Sequence, residues 1–146
     1  MGKDLEAIVI DDEQSSHKIL RELLEDSKLD VKIVGNAYSV SEGIEQIKQK
    51  SPNLLFLDIE LPDGLGFDLL EVFPDPDFRV IFITAHNKYA LSAIRFEAFE
   101  DYLEKPISLT SLKEGLRKVR VFRDRIMTIE KLSRIKENYE NAERKK

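Results

Sequence analysis

The chain has no cysteine. A disulfide framework, a thiolate metal site and a cysteine nucleophile are therefore all excluded. The absence fits a reducing compartment, and the expected location is the cytoplasm. Long apolar runs are missing too. Nothing approaches the ~20 residues that a membrane-spanning helix requires. The first residues, Met1-Gly2-Lys3-Asp4-Leu5-Glu6, carry charges where a secretory leader needs an apolar stretch. A surplus of positive charge is also lacking. The formal net charge is −5, so the bulk surface does not advertise nucleic-acid binding. No glycine or proline occurs between Gly115 and the end of the chain, so nothing there breaks a helix.

What is present is a globular composition. The 146 residues are 42% hydrophobic and 35% charged, enough for one domain with a short extension. Short apolar runs recur: Ala7-Ile8-Val9-Ile10, Val31-Lys32-Ile33-Val34-Gly35, Leu54-Leu55-Phe56-Leu57, Val80-Ile81-Phe82-Ile83 and Tyr102-Leu103. The first, third and fourth are continuous, as in strands buried on both faces of a parallel sheet. The second alternates and the fifth is short, which suits strands nearer an edge.

Helical patterns lie between them. Ile19, Leu20, Leu23 and Leu24 share a helix face, as do Val40, Ile44 and Ile47, with Ser39 or Ser41 as N-cap. Leu65, Leu69 and Val72 predict a third helix, Tyr89 to Phe99 a fourth, and Leu109, Leu112, Leu116 and Val119 a fifth. Strand–helix alternation of this kind implies right-handed crossovers and a doubly wound sheet. Its functional crevice lies at the carboxyl ends of the strands.

Asp11, Asp12 and Glu13 follow the first run, Asp58 the third, Thr84 ends the fourth, and Lys105-Pro106 follows the fifth. Singly, each has an ordinary reading as a cap, a turn residue or a solvated charge. Together they would gather carboxylates, a hydroxyl and an ammonium in one crevice. Clustered like charges need a compensating cation. Hard oxygen donors suit Mg²⁺ far better than zinc. Beside such an ion, a carboxylate suggests phosphoryl transfer by nucleophilic attack.

The order Asp-Asp-Glu, Leu-Asp-Ile-Glu-Leu-Pro-Asp-Gly, Thr-Ala and Tyr-Leu-Glu-Lys-Pro-Ile resembles response-regulator receiver domains over about residues 5–121. The resemblance implies a flavodoxin-like (βα)5 fold: a five-stranded parallel sheet in the order 2-1-3-4-5, plus a C-terminal helical extension. It implies Asp58 as phosphoacceptor and Mg²⁺ or Mn²⁺ as cofactor. Asp12 and Asp58 would be direct ligands, Asp11 would act mainly through water, and the Glu60 main-chain carbonyl would complete the set. Lys105 would bind a phosphoryl oxygen, with a cis bond to Pro106. Thr84 and Tyr102 would be the switch pair, and small Ala85 would leave the route to Asp58 open. Glu60 and His86 would modulate the lifetime of the phosphorylated state, with His86 an exposed loop residue rather than a base. His17, on the first helix, is expected at the surface rather than as a phosphodonor.

The run Thr84–Ile107 is most similar to receivers of the LytTR (LytR/AlgR) class, which normally precede a DNA-binding output domain. That domain is absent here. The chain is then either an excised receiver, the preferred expectation, or one that acts alone through protein contacts. The implied partners are a sensor histidine kinase and a second copy through the helix 4–strand 5–helix 5 face, with no membrane and DNA only through an output domain. The receiver would occupy 1–121. The 122–146 stretch would be a helical extension or linker, with Phe122, Ile126, Ile129, Leu132, Ile135 and Tyr139 at helical spacing that drifts from a clean heptad. Arg144-Lys145-Lys146 reads as a frayed tail. The chain would be a signalling switch rather than an enzyme, catalysing only its own phosphotransfer and slow autodephosphorylation. The rival reading is a Mg²⁺-dependent phosphohydrolase with an Asp nucleophile, for which Glu60 would be the second acid. A nucleotide or flavin binder is disfavoured, because carboxylates stand where a glycine-rich phosphate loop would be needed.

Overall fold

The structure, a computed structural model, describes residues 4–144. Strands β1 (Leu5–Ile10), β2 (Val31–Ala37), β3 (Leu54–Leu57), β4 (Arg79–Thr84) and β5 (Phe99–Glu104) form one sheet. All pairs are parallel, in the order β2-β1-β3-β4-β5. Helices α1 (Gln14–Asp26), α2 (Val40–Lys50), α3 (Gly66–Glu71), α4 (Ala90–Ala93) and α5 (Leu109–Arg144) make the connections.

The continuous apolar runs are explained by what covers each face. Along β1, Leu5, Ala7 and Val9 point to one side and Ile8 and Ile10 to the other, as the two-residue period of a strand requires. Leu54 and Phe56 of β3 and Ile81 and Ile83 of β4 join the first set, which packs on Leu20 and Leu24 of α1 and Leu112, Leu116 and Val119 of α5. Leu55, Leu57, Val80 and Phe82 join the second, under Val40 and Ile47 of α2, Leu69 and Leu70 of α3 and Ala93 of α4. Each such side chain contributes roughly 1.5–3 kcal/mol through burial. A polar residue on either face of β1, β3 or β4 would forfeit that. Strands β2 and β5 are the edges, as expected, but β5 is not short: it runs over the six residues Phe99–Glu104.

The fourth helix differs from its prediction. Only a 3₁₀ turn over Asn87–Tyr89 and one turn of α4 form, and Phe99 opens β5 instead. The chain leaves the helix because Phe96 stacks on Phe67, with ring centroids 5.2 Å apart. The third helix also starts later than its apolar pattern suggests: Phe67, Leu69 and Leu70 are its buried residues, while Val72 is largely exposed.

Helix α5 runs unbroken from Leu109 to Arg144. Its burial ends near Phe122; from Asp124 onward every described residue is exposed. Lys145 and Lys146, part of the expected frayed tail, lie outside the described residues, as do Met1 to Lys3. Arg79 fixes the base of the extension. Its guanidinium pairs with Glu100 at 2.7 Å and donates to the Glu97 and Phe99 carbonyls. It also lies over the Phe122 ring, 3.7 Å from the centroid.

Candidate functional site

The carboxyl ends of β1, β3, β4 and β5 meet in one crevice, as the doubly wound topology demands. The Lys105 ammonium lies 2.7 Å from Asp11 Oδ2 and 3.0 Å from Asp58 Oδ2. Asp11 and Asp58 are buried, at 3% and 6% exposure. Burial by itself would lower the Lys105 pKa, but the hydrogen bonds and charges of the two acids outweigh it and hold the group above its ordinary value. The peptide bond from Lys105 to Pro106 is cis, as expected, and the Lys105 N–H donates to the Thr84 carbonyl at 2.9 Å.

Each remaining residue is placed by its element. Thr84, wholly buried at the end of β4, accepts a hydrogen bond from the His86 N–H at 3.3 Å. His86 is in the loop, part-exposed as expected, and its Nε2 lies 3.0 Å from Glu60 Oε2. Glu60 and His86, named together from the sequence, are thus in direct contact. Tyr102 is half-buried against Phe82, its hydroxyl donates to the His86 carbonyl, and burial raises its pKa. Asp12 is exposed. The carboxylates of Asp11, Asp12 and Glu13 lie within 4.8 Å of one another, a purely oxygen donor set of the kind a hard divalent cation takes. Opposite these acids and Asp58, Lys105 supplies one positive charge, so the donor chemistry fits such an ion.

The loop after Asp58 has an order that the sequence did not reveal. Glu60–Leu61 and Gly64–Leu65 pair as a small antiparallel hairpin. Asp58 Oδ1 accepts from the Ile59 N–H at 2.7 Å, and the Gly66 N–H donates to the Ile59 carbonyl at 2.7 Å. A Cβ on Gly66 would sit 2.5 Å from the Asp58 carbonyl oxygen, so only glycine lets α3 start this close to Asp58. Asp63, at the hairpin turn, accepts from the Val40 and Ser41 N–H groups at 2.7 and 3.0 Å. Those bonds, Val40's first, hold its carboxyl below the ordinary range.

His17 is not at the surface. It is 3% exposed, with Nε2 2.8 Å from the Asp11 carbonyl and Nδ1 2.8 Å from Asn36 Oδ1. Both ring nitrogens find partners, which is what makes a buried imidazole affordable. The signal that was missed is one of register: His17 lies three residues before Leu20, on the inward face of α1.

Over residues 7–117 the chain matches the family model described as "Response regulator receiver domain". The chain belongs to the response regulator receiver family. It is 37% identical over 116 residues to an uncharacterized response regulatory protein of Vibrio cholerae, covering 79% of this chain and 48% of that protein. It is 36% identical to the sensory transduction protein LytT of Bacillus cereus over 117 residues, 78% of this chain and 46% of that protein. Against the transcriptional regulatory protein BtsR of Escherichia coli K12 the identity is 35% over 118 residues, 80% and 48% of the two chains. The receiver thus spans about half the length of these curated relatives. Among solved structures, the REC domain of AraT from Geobacillus stearothermophilus superposes with a TM-score of 0.76 at 25% identity, covering 86% of this chain and 99% of that one. The flavodoxin-like fold and the likeness to the LytTR class agree with these relatives. Receivers are signalling switches that sensor histidine kinases phosphorylate. Among the described residues no helix is long and apolar enough to cross a membrane.

Proposed function

We propose that this receiver accepts a phosphoryl group on Asp58 from a histidine kinase or a small phosphodonor. The observation that carries the reading is the single ammonium of Lys105 shared between Asp58 and Asp11, at 3.0 and 2.7 Å. Asp58 Oδ2 attacks phosphorus in line. The P–N bond of a phosphohistidine, or the P–O bond of an acyl phosphate, breaks, and the leaving group keeps its electron pair. Asp12, Asp58 and the Glu60 main-chain carbonyl would hold Mg²⁺ or Mn²⁺, with Asp11 acting mainly through water; the ion supplies positive charge against the phosphoryl oxygens. Lys105 binds one of those oxygens and so gives up its contact with the Asp58 carboxylate. The Thr84 hydroxyl turns toward another, and Tyr102, tied to the same loop through the His86 carbonyl, follows it.

Glu60 and His86, 3.0 Å apart at the mouth, modulate how easily water reaches the acyl phosphate. Slow loss of its own phosphoryl group is the only hydrolysis this arrangement performs. The face of α4, β5 and α5 carries the result to a partner or a second copy. The output proposed is of the LytTR kind, reaching DNA through a domain outside this chain and working in the cytoplasm; the relatives named as sensory transduction and transcriptional regulatory proteins support it. Residues 1–121 would form the switch and 122–146 the connection.

The test is incubation with acetyl phosphate and Mg²⁺ followed by intact mass. One added phosphoryl group, absent in Asp58→Asn, is expected. No gain, or a gain that survives Asp58→Asn, would overturn the assignment. Steady turnover of phosphate monoesters would favour the phosphohydrolase rival instead.

A further inference from the structure

Residues 36–41, where β2 hands over to α2, contribute no side chain to the acidic crevice, yet both of its acidic loops are fastened to them. On one side, the Asp11 N–H donates to the Ala37 carbonyl at 3.0 Å. His17 reinforces that link. A main-chain carbonyl can only accept, so Nε2 carries the proton bonded to Asp11. The other nitrogen then has only a lone pair to offer, so it accepts from the Asn36 side-chain amide with that amide's NH2 turned toward it, 2.8 Å away, and the ring stacks on Tyr38 with centroids 4.4 Å apart.

On the other side, α2 begins with N–H groups that have no intrahelical partner. Ser39 Oγ accepts from Glu42 at 3.2 Å, but the N–H groups of Val40 and Ser41 go to Asp63, which is remote in sequence. The favourable end of the helix dipole supports this anion. Asp63 is the turn of the hairpin in which Glu60 pairs with Leu65, two residues past Asp58.

We infer that His17 and Asp63 are positioning residues for the cation site. The β2–α2 junction is their common strut, holding the loop of Asp11 and Asp12 at a fixed spacing from the loop of Asp58 and Glu60. The inference rests on reading those acids as ligands of a divalent cation. Mg²⁺ demands near-octahedral geometry at about 2.0–2.1 Å, with little tolerance for misplaced donors. A loosened strut must be re-ordered on binding. The loss therefore falls on metal affinity, while the chemistry at saturating metal, performed by Asp58 and Lys105, is preserved.

The experiment measures Mn²⁺ binding by electron paramagnetic resonance and the Mg²⁺ dependence of acetyl-phosphate labelling, on the full chain. The variants are Asp63→Ala, Asp63→Asn, His17→Phe and His17→Gln. Phenylalanine keeps the stack on Tyr38 and loses both nitrogens; glutamine can still donate to the Asp11 carbonyl. Asp63→Ala and His17→Phe should each raise the Mn²⁺ dissociation constant at least threefold. Asp63→Asn and His17→Gln should recover part of it, and the labelling rate at saturating Mg²⁺ should stay within twofold of the parent. Unchanged Mn²⁺ affinity in variants with parental circular dichroism would overturn the inference. So would a loss of rate at saturating Mg²⁺ without a loss of affinity. Because Asp63 is exposed, its variants decide the matter even if a buried His17 variant does not fold. A parent protein that neither binds Mn²⁺ nor takes up a phosphoryl group would instead overturn the underlying reading of the site.

Discussion

Lys105 is the residue on which the crevice balances. Its ammonium contacts two buried carboxylates at once. Lys105→Ala would leave both without it, and unpaired buried charge is more costly than a lost contact. The expected destabilisation is about 1–3 kcal/mol by urea titration. Adding Asp58→Asn should return part of it, since one negative charge goes; an equal cost in both backgrounds would show that repulsion is not the cause. Asp63 tests the opposite sign. Its folded pKa lies below its ordinary value of 3.8, so its contribution is present above that value and is lost as pH falls through the folded one. Asp63→Asn should be less stable at neutral pH by up to about 1 kcal/mol, the scale of a helix cap. The gap should close on acidification in parallel thermal melts. The gathering of Asp58, Thr84 and Lys105 at the carboxyl ends of the strands was legible in the sequence, because each ends or follows an apolar run. The places of His17, Asp63 and Arg79 were not, because Asn36, Val40 and Glu100, which they bond, belong to other elements and lie 19, 23 and 21 residues away.

At the scale of elements, the strands were the most readable. Burial on both faces forces a continuous apolar run, and β1, β3 and β4 show it. Helix α4 was misread because Tyr89, Ala93 and Ile94 keep helical spacing while Phe96 is drawn to Phe67. Local pattern cannot weigh a contact with a residue almost thirty positions earlier. Helix α5 shows the converse. Its first turns carry Leu112, Leu116 and Val119 in the core, whereas Ile126, Ile129, Leu132, Ile135 and Tyr139 are exposed. Isolated helical segments of that length are marginal in water. Hydrogen exchange should therefore show rapid amide exchange across residues 128–144 and strong protection at 112–120. Removing residues 131–144 should shift stability by less than about 0.5 kcal/mol. A large loss would mean that the extension packs on the receiver or on a second copy.

For the molecule as a whole, apolar surface remains around α4 as well as along the end of α5. Leu91 on α4 and Ile94 just after it are 78% and 56% exposed, in the segment between His86 and Tyr102, whose hydroxyl donates to the His86 carbonyl. That motivates dimerisation through α4, β5 and α5 when Asp58 carries a phosphoryl group or beryllofluoride. Light scattering should then report a shift from monomer toward dimer that Leu91→Asp suppresses. A monomer at high concentration with and without the phosphoryl mimic would end the idea. Ion pairs at the surface, such as Arg117 with Glu114 at 2.6 Å, contribute little to such an interface or to stability.

The sequence by itself determined the layer architecture, the residue types gathered at the strand ends and the family, because periodicity and residue type are local properties of the chain. Tertiary structure alone decided the arrangement around the crevice: one lysine bridging two acids, a histidine turned inward, an aspartate capping a helix that it does not precede, and a fourth helix cut to a single turn. Each depends on which distant groups come within bonding distance, and those distances exist only once the sheet has assembled and the helices have closed over it.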